Sequence, residues 1–216
     1  MSVQLPNDPA RDDVLAGRPA LWLNPNLKAN GIADQSLPIR AAQVKEAEEN
    51  WQLLAPVLET CFPELKASKG RIQSKLIEAE DLRGALGYGT SEYGRVFVKA
   101  DGDLPVAGSI KARGGVYEVF MHAKKMAEKR GILTPGGDIT VLVGEQARAL
   151  FAQHTIAVGS TGNLGLSVGI AARALGFRAV VHMSSDAKQW KVDRLTRLGV
   201  EVVQHKADYT TAVEHA

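Results

Sequence analysis

Between Thr155 and Gln204 three short apolar runs alternate with two helical stretches, and this alternation narrows the fold more than any other feature of the chain. The runs Thr155–Gly159, Arg178–Met183 and Val200–Gln204 have the length and apolar character of buried strands. Leu164–Leu175 and Ala187–Leu198 read as helices, with Gly176 and Gly199 as their stops and Asp186 placed to cap the second. Strand–helix–strand–helix–strand predicts an α/β fold with a parallel sheet and right-handed crossovers. Upstream, Val96–Ala100 alternates like a further strand and Ile110–Lys129 reads as a helix ending at Gly131. Val44, Ala47, Trp51, Leu54 and Val57 recur at threes and fours and predict a helix over residues 41–60. Residues 1–40, rich in Pro, Asn and Asp, read as an arm lying on a body.

Two segments carry chemistry. The first is Gly108-Ser-Ile-Lys111-Ala-Arg113-Gly-Gly115. Ser109 can cap the helix, so Lys111 falls in its first turn, where the field of the helix dipole works against an ammonium ion. Gly108, Gly114 and Gly115 leave room for a bulky group beside the amine. These are the surroundings of a Schiff-base lysine. The second is Ile156-Ala-Val-Gly-Ser160-Thr161-Gly162-Asn163-Leu-Gly165-Leu-Ser167, an apolar run leading through a polar turn into a helix. Such a turn offers backbone N–H groups to a carboxylate or phosphate. Taken alone, each segment also has a plain reading. A lysine is ordinarily a solvated surface residue, and Gly-rich strand-to-helix turns are common in α/β sheets.

Together, Ser-x-Lys-x-Arg-Gly-Gly followed by Ser-Thr-Gly-Asn-x-Gly resembles the fold-type II enzymes that use pyridoxal phosphate (PLP), a tryptophan synthase β-like architecture. Within them the chain is similar to the bacterial D-serine dehydratase (D-serine ammonia-lyase) family. Leu104-Pro105, His182-Met-Ser-Ser-Asp-Ala187, Trp190-Lys191 and Asp208-Tyr209 extend the match, as does Leu21-Trp-Leu-Asn-Pro25. Where the family has Asp-Ser-His before the Leu-Pro pair, this chain has Asp101-Gly102-Asp103. The resemblance implies β-elimination of D-serine to pyruvate and ammonia. Lys111 would be the catalytic lysine that holds PLP and serves as base for the Cα proton. Asn163 and Ser109 would contact the cofactor, and Ser160, Thr161, Gly162 and Asn163 the substrate carboxylate.

The resemblance further implies that residues 1–95 form an arm and helices packing on a large domain. Residues 96–216 would carry the lysine segment and most of a small parallel α/β domain. Because the family continues well past the match at Asp208-Tyr209, the later half, with a phosphate-binding loop and a partner for the pyridine nitrogen, is expected to be absent. Two alternatives stay open: a non-catalytic truncated remnant, and another fold-type II lyase such as a threonine dehydratase. A shortened chain is also expected to associate through the surfaces left exposed.

Composition sets limits. A net charge of +2, with Lys and Arg spread along the chain, gives no argument for nucleic acid. No apolar run approaches ~18 residues, so no membrane span is expected. With no hydrophobic signal core near Asp8, Asp12 and Asp13, a cytoplasmic location is the default expectation. Cys61, the single cysteine, reads as a packed small hydrophobe. His122, His154, His182, His205 and His215 lack metal-ligand spacing, so no metal is assigned. Trp190 reads as core packing.

Overall fold

The computed structural model describes residues 10–24, 38–89, 94–206, 210 and 213. Asp208-Tyr209 and Pro25 lie outside them. The chain divides into two compact units, Met1–Val44 and Lys45–Ala216. The first contains α1 (Arg11–Leu15), followed by an ion pair of 2.7 Å between Arg18 and Asp13. Leu21, Trp22 and Leu23 are exposed.

Helix α2 (Ala41–Cys61) supplies the start of the second unit. Of its predicted stripe, Leu54 and Val57 are fully buried, together with Leu58, while Val44 is exposed. Next come β1 (Leu76–Glu78), α3 (Glu80–Ala85) and β2 (Phe97–Lys99). Here the structure corrects an expectation. The strand read at Val96–Ala100 pairs antiparallel with β1, Ile77 opposite Val98, and has no place in the parallel sheet. Its exposed residues fit a small surface ribbon, whereas a strand of a parallel sheet is covered on both faces.

Helix α4 (Lys111–Lys129) follows with seven buried residues, Ala112, Gly115, Val116, Val119, Phe120, Ala123 and Ala127, recurring at threes and fours. Within the connection 131–154 the chain forms a 3-10 turn, Ile139–Val143, and α5 (Glu145–Phe151), two elements the sequence pattern did not announce. Asp138 caps the turn by accepting the Thr140 N–H at 2.9 Å. The parallel sheet is as expected: β3 (Thr155–Gly159), β4 (Arg178–Ser184) and β5 (Glu201–His205) lie in the order 3-4-5. Helices α6 (Asn163–Leu175) and α7 (Gln189–Arg197) make the crossovers. Asp186 does not cap α7. The residue before that helix is Lys188, and the Asp186 carboxylate instead accepts the Ser184 hydroxyl. Trp190 is 53% exposed, so it is not core packing either.

The core of this unit joins α2, α4 and α6 to the sheet. Phe120 is fully buried with its ring 6.2 Å from Phe62, and Phe151 stacks on Phe177 at 4.5 Å. Truncating a buried phenylalanine removes transfer energy and leaves a cavity. Phe120→Ala is therefore expected to lower stability by about 3–5 kcal/mol, read as a fall in the urea midpoint.

Candidate active site

Lys111 is the first residue of α4, and the segment before it is unusually constrained. Leu104, Val106, Ala107 and Ser109 are buried. Val106 has φ of 75°, left-handed backbone that a β-branched residue rarely adopts. Such a conformation costs on the order of 1–3 kcal/mol and persists only where neighbours hold it. Arg194 of α7 does so, donating to the Val106 carbonyl at 2.6 Å. Ser109 Oγ then accepts the Lys111 N–H at 3.3 Å, but the residue that precedes the helix is Ile110, which has no side-chain capping bond, so Ser109 is not the N-cap expected from sequence. Lys111 is exposed and makes no ion pair among the described residues. Arg113 lies with its guanidinium 5.8 Å from the centre of the Trp51 ring, tying α4 to α2.

The polar turn leaves β3 on the neighbouring helix. Ser160 is buried and continues the ladder by donating its N–H to the His182 carbonyl at 2.8 Å. The Gly162 N–H donates to Ser160 Oγ at 3.3 Å. Asn163 opens α6, its carbonyl accepting the Ser167 hydroxyl at 2.9 Å. Among the described residues the Asn163 side-chain amide has no protein partner. The first N–H groups of any helix lack acceptors within it, so this end of α6 is rich in free donors.

One close contact sets the two segments against each other. A Cβ at Gly115 would stand 3.0 Å from the Ser167 Cβ and 3.4 Å from Leu164, so α4 and α6 touch there. Farther along, the His122 ring lies 6.3 Å from Phe177, just past the end of α6. Contacts that advance together along both chains mean that the helices run in the same direction. Lys111 is one turn before Gly115, and Asn163 one turn before Ser167. The amine-bearing end and the donor-bearing end are thus the same end of the packed pair. Gly165 completes the arrangement: a Cβ there would meet the Ser160 carbonyl oxygen at 2.5 Å and Val181 at 2.8 Å.

A family model described as pyridoxal-phosphate dependent enzyme matches residues 68–216. The chain belongs to this family. It is 64% identical over its whole length to a probable D-serine dehydratase of Rhizobium etli (strain CIAT 652), covering 48% of that relative. It is 62% identical over its whole length to one of Sinorhizobium medicae (strain WSM419), covering 49%. It therefore spans about half the length of the curated relatives it matches. A structure of Escherichia coli diaminopropionate ammonia lyase, in complex with an aminoacrylate-PLP azomethine reaction intermediate, superposes with a TM-score of 0.55. It does so at 24% identity, over 81% of this chain and 37% of that one. That likeness shows the shared fold. The α/β architecture of a fold-type II enzyme, expected from sequence, is the one found.

The donor set suits the family's cofactor. PLP needs a primary amine for its aldehyde and donors for its ring oxygen and phosphate. Lys111 provides an amine without a carboxylate partner, and the end of α6 provides unsatisfied N–H groups and the Asn163 amide. Gly114, one turn from the amine, has nothing within 4 Å of the place a Cβ would take. Three residues of this region were not singled out from sequence, Val106, Ser184 and Arg194, and Asp186 was read there only as a helix cap. Ser184 and Asp186 fall inside the stretch 182–187 that carried the family resemblance, but no local spacing links them to the turn.

Among the described residues no group of three or more His, Cys, Asp and Glu could hold a metal ion. His182 and His205 bond to each other through ring nitrogens 2.9 Å apart. No helix of the described residues is long and apolar enough to cross a membrane. Cys61 is partly buried, and burial pushes its thiol from 9.0 up to about 11 against a weaker opposing effect of Arg148. The thiolate is the reactive form. At pH 8 the folded protein should therefore be alkylated by iodoacetamide about 100-fold more slowly than the unfolded chain, since two pKa units are a hundredfold in thiolate. The rate should climb as pH approaches 11, and equal rates in urea and in buffer would contradict the burial argument. At Gly165 an added methyl has only backbone and a packed valine to displace. Gly165→Ala should accordingly lower the thermal midpoint and shift the backbone resonances of Ser160–Asn163, whereas the sheet residues of β5 should keep theirs.

Proposed function

We propose that this chain supplies the lysine and the carboxylate-binding turn of a PLP-dependent D-serine dehydratase, which converts D-serine to pyruvate and ammonia. The observation that carries the reading is the packing of α4 on α6 at Gly115 and Ser167, which puts the end bearing Lys111 beside the end bearing Asn163. The identity to probable D-serine dehydratases over the whole chain supports the substrate.

PLP, when bound, supplies the electron sink for the pair left on the substrate Cα. The rest is the work of the chain. The Lys111 amine would hold the cofactor's aldehyde carbon, and Asn163 would donate to the ring oxygen. Ser109 would steady the start of the helix, its Oγ accepting the Lys111 N–H. Within the turn at 160–163 the Thr161 and Asn163 N–H groups would bind the substrate carboxylate, each such charge-assisted bond contributing about 1.5–3 kcal/mol, while the N–H groups of Ser160 and Gly162 stay bonded within the protein. A fixed carboxylate orients the Cα–H bond, and the Lys111 Nζ, freed by the incoming substrate amine, would accept that proton. Departure of the β-hydroxyl and hydrolysis of the resulting enamine give pyruvate and ammonia. Because the chain spans about half of its relatives' length, several donors for the phosphate would come from the other half.

Competing lysines help to define a test. Lys99 is bonded to Ser74 and Asp101, and Lys124 pairs with Glu128 at 2.7 Å. Treatment with PLP and borohydride should label Lys111, while label mainly on Lys99, Lys124 or Lys125 would refute its role. The function itself is tested by extending the chain to its relatives' length and measuring pyruvate from D-serine alongside 2-oxo acid release from L-serine and threonine. Turnover of D-serine should exceed the other two and disappear in Lys111→Ala. A preference for threonine would assign the chain to a different lyase.

A further inference from the structure

Behind the turn, three side chains form a relay that the proposed chemistry does not use. The β3–β4 register pairs Gly159 with His182, so Thr161 and Ser184, each two residues further on, come together. Asp186 accepts the Ser184 hydroxyl. An ionised carboxylate is an acceptor only, so this bond has one direction. Ser184 has then committed its single proton, and in its 2.7 Å contact with Thr161 it must accept. The proton of that contact is therefore Thr161's own. Thr161 Oγ1 in turn accepts the Ser184 N–H at 3.0 Å. One carboxylate thus sets the direction of both hydroxyl bonds. Ser184 is buried, at 7% exposure, so its partners are protein groups rather than water. What remains on Thr161 Oγ1 is a lone pair, and a lone pair does not attract an anion.

We propose that Asp186 is a positioning residue. Acting through Ser184, it holds Thr161 and the turn in one conformation and directs the Thr161 hydroxyl proton away from the ligand. The substrate carboxylate then meets backbone N–H groups and the Asn163 amide, with Thr161 contributing only its N–H. The ligand half of this statement rests on the carboxylate role proposed above, and the positioning half rests on the bond directions alone.

The test is amide hydrogen exchange by NMR on the 216-residue chain, with a D-serine titration of the PLP-loaded protein extended to its relatives' length. Asp186→Asn keeps the shape but lets the side chain donate as well as accept, and Ser184→Ala removes the link. Both should raise exchange at Thr161–Leu164 about tenfold, as expected for local opening, while amides at the centre of β4 stay protected. Thr161→Ser keeps the hydroxyl and should remain within about twofold of the parent, whereas Thr161→Val should behave like Ser184→Ala. No change at the turn in Asp186→Asn and Ser184→Ala would overturn the proposal, as would a rise of equal size across β3, β4 and β5. Failure of D-serine to move the Thr161–Asn163 resonances of the parent would instead overturn the carboxylate reading, because the exchange measurement needs no ligand.

Discussion

The contact between Gly115 and Ser167 is the constraint on which the candidate site depends. Two helices can approach this closely only where one of them lacks a side chain, and Gly115 is that place. The contact fixes the rotation of α4 as well as its distance from α6. Val116, Phe120, Ala123 and Ala127 then turn into the core, while Lys111 is left exposed at the end of the pair. Gly165 plays the matching part on the other side of α6, seating the helix against the Ser160 carbonyl and Val181. The position of the lysine relative to the turn is thus a consequence of packing.

Around that contact the local energetics run against the general trend of the fold. Most of the second unit keeps ordinary backbone and buries apolar area. The approach to Lys111 does the reverse, keeping a valine in left-handed backbone and spending an arginine on its carbonyl. Strain of this kind is retained where neighbours over-determine the conformation. Here the restraint comes from α7, which connects the second crossover of the sheet to the lysine segment. The turn after β3 is restrained in a comparable way from β4, through Ser184. Both halves of the candidate site are therefore held by elements that follow them in the chain.

Much of this was legible in the sequence, and the parts that were not share a cause. The strands and helices between Thr155 and His205 emerge within a residue or two of their expected bounds, because periodicity and glycine stops are local signals. Lys111 and Asn163 stand out for the same reason: each sits in a dense, short motif. The antiparallel partner of β2 was not legible, since β1 lies about twenty residues upstream in an exposed stretch with no alternation to mark it. Nor was the structure of Ile139–Val143, an apolar β-branched run that becomes a 3-10 turn once Asp138 caps it. Asp186 misled in an instructive way. It has the right residue type and spacing for a helix cap, yet a buried serine on the adjacent strand offers it a better partner.

By itself the sequence determined the class of fold, the succession of strands and helices around the parallel sheet, and the two motifs of the candidate site. These depend on side-chain periodicity and on residue types a few positions apart. Only the tertiary structure decided that α4 and α6 run side by side in one direction, that Arg194 holds Val106, and that Asp186 governs Thr161 through Ser184. Those relations join residues 23 to 88 positions apart in the case of the two side-chain links. They exist because strand register and helix packing bring the residues together, and no spacing along the chain encodes them.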